Sequence, residues 1–444
     1  MKIVLEFGTS GIRGVFGEQI AVQDVLKLSY AVSNVLGNGK YVIGNDTRRS
    51  CDLLSTVLTA GLNYAGNDVD YIGMVPTPVL AFASRNSRCR AGFSVTASHN
   101  PAQFCGIKIF DGNGVGLEVS KEREIERTLI SNPNVVYNGG KATLNQVAII
   151  DYVSGLINKV ESSGKKLRIL VETANGAASH VTPVILKQLG HDVISLNSHI
   201  SHLFLGRNPE PVRENLVHVI ELIKRLDIDL AIVHDGDGDR LVLVTSDGNV
   251  VPDYALSYII LKMVLGRRRG DVVISINTSS KVEMLALENH CNVTRYRLGK
   301  TYEELRRRNG VYATEPSKTV DASWGYWEDG IYAAVSVVQM LSSQGIQLQD
   351  LLHLVPQTFY QQLNLQVYGY NHERIKQIAT KYFASKIAEI QEIDGLRLIF
   401  KNESWLLFRT SGTEQKARIY CESTSEKDSV SLIEEGKRIL YSFN

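Results

Sequence analysis

The stretch YVIGNDTRRSCDLLSTVLTAGLNYAGNDVDYIGM, residues 41–74, contains one complete copy of the pattern that runs through most of this chain. Residues 41–46 begin with apolar and β-branched side chains and end at a turn, which predicts a strand. Residues 50–66 carry apolar side chains at helical spacing, and residues 68–74 return to a strand pattern. Two buried strands separated by a helix predict a parallel sheet that helices cover on both faces.

The same strand–helix–strand pattern recurs at residues 167–196 and 270–298, so we expect three doubly wound α/β domains. Residues 394–423 differ, because three apolar runs follow one another with short links, and a helical pattern starts near residue 427. Short links favour antiparallel pairing. The C-terminal region is therefore predicted to be an α+β domain with helices on one face of its sheet.

Composition and charge restrict the classes of partner. The chain has 444 residues, with 48 Lys and Arg against 47 Asp and Glu. This balance argues against a nucleic-acid or membrane-surface partner but not against a small anionic ligand. Five scattered cysteines without C-x-x-C spacing indicate free thiols. There is no signal-peptide pattern and no apolar run of about 18 residues, so we expect a soluble, cytoplasmic protein.

A short acidic loop, H-D-G-D-G-D-R, lies between two strand patterns and carries Asp235, Asp237 and Asp239. Three carboxylates at alternate positions form a hard oxygen cluster that suits Mg²⁺ or Ca²⁺. An EF-hand is excluded, because Arg240 and Ser246 stand where that motif needs glycine and glutamate. The alternative is an acidic surface turn, in which three clustered like charges would repel one another without a cation.

Three further loops combine glycine, hydroxyl and charged side chains: R-T-S-G-T-E (409–414), F-G-T-S-G-I-R-G (7–14) and A-T-E-P-S-K (313–318). The first could cradle a phosphate, because arginine and hydroxyl groups donate hydrogen bonds to its oxygens. The second matches neither a Walker-type nor a Rossmann nucleotide motif. The third could contact two neighbouring sugar hydroxyls. Each of them alone is equally compatible with an ordinary turn.

The stretch T-A-S-H-N-P, residues 96–101, sets Ser98 beside His99. A serine hydrolase is a weak interpretation, because adjacent residues of an extended segment point apart. The chain also lacks a G-x-S-x-G elbow and an identifiable orienting acid. The alternative is that Ser98 carries a phosphate, which needs a cation and strong donors around it. The acidic loop and the basic loops would supply both.

Taken together, these loops resemble those of the α-D-phosphohexomutases, a family that includes phosphoglucomutases, phosphomannomutases and phosphoglucosamine mutases. T-A-S-H-N-P resembles the family's phosphoserine loop, D-G-D-G-D-R its metal loop, T-E-P-S its sugar loop and R-T-S-G-T-E its phosphate loop. The four loops occur in the family's order, and the resemblance covers essentially the whole chain. The resemblance implies three α/β domains and a C-terminal α+β domain around a central cleft. The corresponding boundaries are residues 1–146, 147–249, 250–358 and 359–444.

The resemblance also implies an isomerase that moves a phosphoryl group between O1 and O6 of a hexose. Ser98 would be a phosphoserine, and hexose 1,6-bisphosphate would be the intermediate and activator. Mg²⁺ would be held by Ser98 and by the three aspartates of the acidic loop. The remaining implied contacts are Arg13, His99, Lys108 and Arg240 to the transferring group; Glu315, Ser317 and Lys318 to the sugar; and Arg409, Ser411, Gly412 and Thr413 to the other phosphate.

The chain departs from the family pattern in the sugar loop. It reads E-P-S-K-T where the family commonly has E-x-S-G-H, so Lys318 replaces glycine and Thr319 replaces histidine. The loop looks more like that of archaeal members. Lys108, in C-G-I-K, and Lys318 are the candidates for the general acid/base. We expect glucose and mannose phosphates as substrates; a phosphoglucosamine mutase and a non-catalytic sugar-phosphate binder are the alternatives, and a homodimer is compatible with the sequence.

Overall fold

The computed structural model describes residues 5–131, 133, 135–160, 164–366, 371–410 and 416–441. These residues divide into two compact units. Unit 1 comprises the described residues of Met1–Leu256 and Ser317–Leu352, and unit 2 comprises those of Ser257–Pro316 and His353–Asn444. Within the described ranges, no helix is both long and apolar enough to cross a bilayer.

The strands are β1 (Ile12–Val15), β2 (Lys40–Asn45), β3 (Asp68–Met74), β4 (Ala91–Val95), β5 (Phe104–Asp111), β6 (Ala142–Leu144), β7 (Arg168–Glu172), β8 (Asp192–Leu196), β9 (Leu230–Val233), β10 (Val242–Thr245), β11 (Val272–Ser275), β12 (Val293–Tyr296), β13 (Tyr312–Glu315), β14 (Lys318–Asp321), β15 (Phe359–Gln366), β16 (Ile387–Gln391), β17 (Leu396–Phe400), β18 (Trp405–Thr410) and β19 (Lys416–Ser423).

The α-helices are α1 (Val22–Leu36), α2 (Arg49–Tyr64), α3 (Thr77–Ser87), α4 (Val119–Ile130), α5 (Ala148–Lys159), α6 (Thr182–Gln188), α7 (Val217–Arg225), α8 (Asp253–Leu265), α9 (Ser280–Glu288), α10 (Thr301–Arg307), α11 (Gly330–Gln344), α12 (Leu348–Leu352), α13 (His372–Tyr382) and α14 (Glu426–Tyr441). Short 3₁₀ turns cover Ala177–His180 and Arg213–Asn215.

The stretch at residues 41–74 folds as its sequence predicts, into β2, α2 and β3. Leu54, Leu58 and Leu62 lie one helical turn apart on α2, and all three are fully buried. Burying each of these side chains contributes about 1.5–3 kcal/mol. The helix therefore packs on the sheet through one apolar face, as its spacing indicates.

The first sheet has the order β1-β5-β4-β2-β3-β6 and is mixed. Strands β4, β2, β3 and β6 are parallel, but β5 pairs antiparallel with both β4 and β1. The expectation of a purely parallel sheet is wrong for this edge. The loop from β4 to β5 spans only residues 96–103, and a parallel return would need a dozen or more residues.

The second sheet of unit 1 shows the same departure. Its order is β10-β9-β7-β8, with β7, β8 and β9 parallel and β10 antiparallel to β9. Residues 234–241 join β9 to β10. The serine stretch and the acidic loop thus both lie in short connections between antiparallel neighbours.

Unit 2 contains parallel pairing of β11 with β12 and β13, and a five-stranded sheet in the order β15-β19-β18-β17-β16. Every pairing in the five-stranded sheet is antiparallel, which confirms the sequence prediction. Along β18, Leu406 and Phe408 belong to the core that α13 and α14 share, whereas Trp405 and Leu407 face the opposite side, toward Ile276. The two helices therefore cover one face of the sheet.

Candidate active site

Ser98 lies in the Ser98 turn, residues 96–103, directly after β4. Its φ angle is 52°, in the left-handed region that non-glycine residues rarely adopt, at a cost of order 1 kcal/mol or more. The side chain is fully buried, and its Oγ donates to Asp235 Oδ2 at 2.6 Å. The Ser98 N–H donates to Thr96 Oγ1 at 2.8 Å. The turn therefore aims the serine hydroxyl at the acidic loop.

Arg48 stabilises the Ser98 turn by hydrogen bonds to its backbone. Its guanidinium donates to the carbonyl oxygens of Ser98, at 3.0 Å, and Asn100. The guanidinium is buried, forms an ion pair with Asp46, and lies 4.6 Å from the ring centroid of Phe204. Sequence reasoning missed Arg48. The available signal was the polar N-D-T-R sequence at the end of β2, because the carboxyl ends of parallel strands meet at one edge of a sheet.

The acidic loop brings Asp235, Asp237 and Asp239 together; we call these three residues the acidic triad. All three side chains are buried, and one carboxylate oxygen from each lies within 4.8 Å of the others. Gly238 has a φ of +72°, and a Cβ on Gly236 would lie 2.6 Å from the Ser98 carbonyl oxygen. Glycine is therefore required at both positions, for the bend and for the close approach to the Ser98 turn.

Two lysines and a threonine contact the acidic triad. Lys108 Nζ donates to Asp237 Oδ2 and Asp239 Oδ2, both at 2.6 Å. Lys318 Nζ donates to Asp239 Oδ2 at 2.9 Å and also to Glu328. Thr77 Oγ1, at the first residue of α3, donates to Asp237 Oδ2 at 2.6 Å. The first residue of α3 thus contacts this carboxylate through its side chain.

The pKa values of the triad diverge. Burial and the neighbouring Asp237 and Asp239 raise the pKa of Asp235 to about 7. Burial also acts to raise the pKa of Asp237 and Asp239, but the Lys108 ammonium overcomes it and lowers the pKa of both, with Lys318 adding to the effect on Asp239. Two carboxylates are therefore kept ionised, and the one next to Ser98 is left without a lysine partner among the described contacts.

The triad fits a hard divalent cation. Asp237 Oδ1 and Asp239 Oδ1 are buried and accept no hydrogen bond from any described residue. An unsatisfied buried carboxylate oxygen is costly unless a ligand meets it. Oxygen donors of this type suit Mg²⁺, which keeps coordination positions open for a phosphate. The residues present therefore fit the magnesium site that the sequence predicts.

Two arginines flank the site with unused donors. Arg13 Nη1 donates to Asn100 Oδ1 at 3.3 Å, and Arg240 Nη1 donates to Glu210 Oε1 at 3.1 Å. The Nε groups of Arg13 and Arg240 are buried and find no acceptor in the described ranges. Burial lowers the pKa of Arg13; it acts the same way on Arg240, but there Glu210, Asp235 and Asp239 outweigh it and raise the pKa. Both guanidinium groups can donate to an anion such as a phosphate.

His99 lies beside the serine as a neutral imidazole. Its Nδ1 is 3.3 Å from Ser98 Oγ, and its Nε2 is 3.8 Å from Glu210 Oε2. Burial, together with Arg240 and Arg13, lowers the pKa of His99 well below its usual value. The approach to Glu210 is therefore not an ion pair near neutral pH, and His99 acts there with one ring nitrogen as a donor and the other as an acceptor.

The sugar loop is firmly held. Ser317, with a φ of 62°, donates its hydroxyl to Asp253 Oδ1 at 2.8 Å, both in unit 1. In unit 2, Glu315 accepts hydrogen bonds from the Gly299 N–H, at 2.7 and 2.8 Å to its two oxygens, and from the Thr301 hydroxyl at 2.8 Å. The Glu315 carboxylate therefore caps the start of α10, a contact that the sequence did not predict.

The phosphate loop is described only at its start. Arg409, near the end of β18, donates from Nε to Asp394 Oδ2 at 2.8 Å, and Asp394 Oδ2 also accepts the Leu298 N–H at 3.1 Å. The other predicted residues of this loop, Ser411, Gly412 and Thr413, lie outside the described residues.

Comparison with known proteins identifies the family. Models of the phosphoglucomutase/phosphomannomutase α/β/α domains I, II and III match residues 4–135, 150–248 and 252–359. A phosphopentomutase from Thermococcus kodakarensis is 32% identical over 435 residues, which cover 96% of each chain. A probable phosphoglucosamine mutase from Methanosarcina acetivorans is 35% identical over 448 residues, with the same coverage of 96%.

A solved structure agrees with these matches. The phosphoglucomutase/phosphomannomutase family protein from Burkholderia thailandensis is 25% identical and has a TM-score of 0.88, covering 99% of this chain and 97% of its own. The resemblance that the four loops indicated is confirmed, as are the three α/β domains and the strand-rich C-terminal domain. The chain belongs to the phosphoglucomutase/phosphomannomutase family, the α-D-phosphohexomutases.

Proposed function

We propose that this phosphomutase-family protein interconverts hexose 1-phosphate and hexose 6-phosphate, with glucose and mannose phosphates as its substrates. One observation carries the proposal: the buried Ser98 hydroxyl donates to Asp235 at 2.6 Å, within a group of three buried carboxylates. A hydroxyl beside three carboxylates that can hold a divalent cation, with unused guanidinium donors nearby, is the arrangement that phosphoryl transfer needs.

Ser98 is the proposed phosphoryl carrier. The free hydroxyl oxygen of the sugar phosphate forms a bond to phosphorus while the bond from phosphorus to Ser98 Oγ breaks, and the hydroxyl proton passes to a base. Lys108 and Lys318, both in contact with Asp239, are the candidates for that base, and either one accepts the proton only after its ammonium group has released one. The bisphosphate then reorients, and its other phosphate returns to Ser98. Holding the reacting groups in place supplies much of the catalysis.

The other residues around Ser98 have separate proposed roles in binding the metal and the substrate. Asp235, Asp237 and Asp239 are the proposed ligands of Mg²⁺, together with a phosphate oxygen on Ser98. When bound, Mg²⁺ supplies neutralisation of the charge on the transferring group. Arg13 is proposed to neutralise part of the same charge by donating a hydrogen bond from its unused Nε group. The other proposed contacts are His99 and Arg240 to the transferring group; Glu315, Ser317 and Lys318 to the sugar; and Arg409, Ser411, Gly412 and Thr413 to the second phosphate.

We also propose the four domain boundaries that the sequence indicates, at residues 1–146, 147–249, 250–358 and 359–444. The edges of the matching family models support them, since domain II spans residues 150–248.

A second candidate is a phosphoglucosamine mutase. Several relatives at 32–35% identity carry that name, for example the proteins from Methanopyrus kandleri and Methanosarcina acetivorans. The phosphopentomutase from Thermococcus kodakarensis extends the possible substrates to pentose phosphates. A non-catalytic sugar-phosphate binder is disfavoured, because Ser98, the acidic triad and Lys108 are all present and in contact.

Phosphorus NMR tests the proposal and ranks the substrates. Glucose, mannose, glucosamine and ribose 1-phosphates are each incubated with the protein, Mg²⁺ and a trace of the matching bisphosphate. We expect the 6-phosphate signal to grow fastest from glucose or mannose 1-phosphate. Faster conversion of glucosamine or ribose phosphate would replace the substrate assignment, free phosphate would indicate hydrolysis, and no conversion of any sugar would contradict the mutase.

A further inference from the structure

Lys318 and Glu328 form a pair at the edge of the acidic triad. Lys318 Nζ lies 2.9 Å from Asp239 Oδ2 and also donates to Glu328 Oε2. The two side chains are largely buried, with 7% and 11% of the Lys318 and Glu328 side chains exposed. The lysine ammonium is thus shared between a carboxylate of the triad and a carboxylate outside it.

The ammonium groups are unevenly distributed over the triad. Asp239 Oδ2 accepts from both Lys108 and Lys318, Asp237 Oδ2 accepts from Lys108, and Asp235 accepts from Ser98. A divalent cation that binds at Asp239 therefore meets two ammonium groups already on that carboxylate. Like charges within a few ångströms in a buried site repel strongly, so a cation must shift at least one ammonium.

Glu328 offers a position to which Lys318 can shift. Its Oε1 is buried and accepts no hydrogen bond from the described residues, so the carboxylate can take more of the lysine's donors. The two described carboxylate partners of Lys108, in contrast, both belong to the triad. The pair of Lys318 and Glu328 therefore differs from Lys108 in having a carboxylate outside the triad.

We propose that Lys318 is a built-in competitor of Mg²⁺ for Asp239 and that Glu328 is a positioning residue that draws the ammonium away when the metal binds. The proposal rests on the metal site of the proposed function. It explains why lysine at position 318 is compatible with a metal-binding triad. The ammonium stays in the site on Glu328, while Asp239 becomes available to the cation.

Isothermal titration of Mg²⁺ into the full-length, dephosphorylated protein tests the proposal without using turnover. We expect Lys318→Met to bind Mg²⁺ about tenfold more tightly, because a competing charge is lost. Glu328→Gln should bind it about three- to tenfold more weakly, because Lys318 then loses its carboxylate partner outside the triad. Lys318→Arg keeps the charge and should stay within about threefold of the unchanged protein. Lys40→Met, which breaks the outlying pair with Asp70, is the control.

The double variant separates this mechanism from a simple field effect. If Glu328 acts through Lys318, Glu328→Gln should have no effect on Mg²⁺ affinity in the Lys318→Met background. Equal weakening in both backgrounds, or unchanged or weaker binding by Lys318→Met, would overturn the proposal. If Lys318→Met does not fold, the test rests on Glu328→Gln and Lys318→Arg, and unchanged affinity in Glu328→Gln overturns it.

The outcomes also distinguish this inference from the proposed function. Magnesium binding and sugar-phosphate turnover by the unchanged protein, without tighter binding by Lys318→Met, would remove only the inference. Magnesium binding without turnover would remove the mutase and leave the inference to be decided by the affinities. No magnesium binding at all would overturn both the metal assignment and the inference.

Discussion

The Ser98 turn of unit 1 and the end of β18 in unit 2 carry similar polar side chains, but they use them differently. In unit 1, the predicted catalytic groups contact one another: Ser98 donates to Asp235, and Lys108 bridges Asp237 and Asp239. In unit 2, Arg409 is paired with a carboxylate of its own unit, Asp394.

The comparison separates two kinds of predicted site residue. Those of unit 1 contact one another, whereas those of unit 2 already have a structural partner within that unit. Lys108 and Lys318 balance the buried charges of Asp237 and Asp239 only in part, since one oxygen of each carboxylate accepts no hydrogen bond from the described residues and is left for a ligand. Glu315, in contrast, is accounted for by its hydrogen bonds at the start of α10. Substitutions in unit 1 should therefore affect turnover most, and substitutions in unit 2 should affect stability in addition to binding.

The largest expected effect is that of Ser98→Ala. Turnover should fall by roughly 10⁴-fold or more, because no other described group takes the place of the phosphoryl carrier. The thermal midpoint should change little, and steady-state assays of hexose 1-phosphate conversion measure the loss. Ser343→Ala, at an exposed position of α11, is the matched control. Near-normal activity of Ser98→Ala would remove the serine from the mechanism.

Asp237→Asn comes next, because it keeps the shape of the side chain and removes one charge of the triad. The Mg²⁺ concentration needed for half-maximal activity should rise by about 10²-fold or more, since even residues outside the ligand set change metal affinity by about 10–100-fold. A magnesium titration of activity, supported by direct binding, gives the shift. An unchanged titration would show that the metal, if any, binds elsewhere.

Arg48→Lys should lower kcat by about 10- to 100-fold and leave KM within about threefold. Lysine keeps the charge next to Asp46 but cannot donate to the carbonyls of Ser98 and Asn100 with the same planar fork. Loss of position at a reacting group reduces rate by this order. Arg49→Lys, at the exposed neighbouring position, should have no effect. A rise in KM with constant kcat would mean that Arg48 serves substrate binding instead.

Glu315→Gln should have the smallest effect on turnover. The free energy of unfolding should fall by about 1–3 kcal/mol, because a charged acceptor of the Gly299 and Thr301 donors is lost. The KM for the sugar phosphate should rise by less than about tenfold. Denaturant unfolding and steady-state kinetics give the two values. A KM rise of about 100-fold at unchanged stability would make sugar binding the main role of this carboxylate.

The sequence predicts the strands and helices of this protein better than it predicts their directions. The apolar runs at residues 41–46 and 68–74 identify strands, but apolar character is the same in parallel and antiparallel pairs. The antiparallel placement of β5 and β10 depends on the length of the loops that precede them. The C-terminal sheet was predictable because its links are visibly short.

The candidate site was predictable where its residues are neighbours in the chain. Asp235, Asp237 and Asp239 form a local pattern, so their proximity follows from the spacing alone. Arg48 is distant in the chain from Ser98, whose carbonyl oxygen it contacts. Glu328 is likewise distant from Asp239, with which it shares the Lys318 ammonium. Only the fold brings them together, and neither belongs to a motif that the sequence singled out.

The central claim is that Ser98 carries the phosphoryl group, and peptide mass spectrometry tests it most directly. The protein is incubated with glucose 1,6-bisphosphate and Mg²⁺, digested, and the peptide with Ser98 is examined before and after addition of excess glucose 6-phosphate. We predict one phosphate on Ser98 in the first sample and its loss in the second. A protein that converts the sugar phosphates while Ser98 is never phosphorylated would contradict the account.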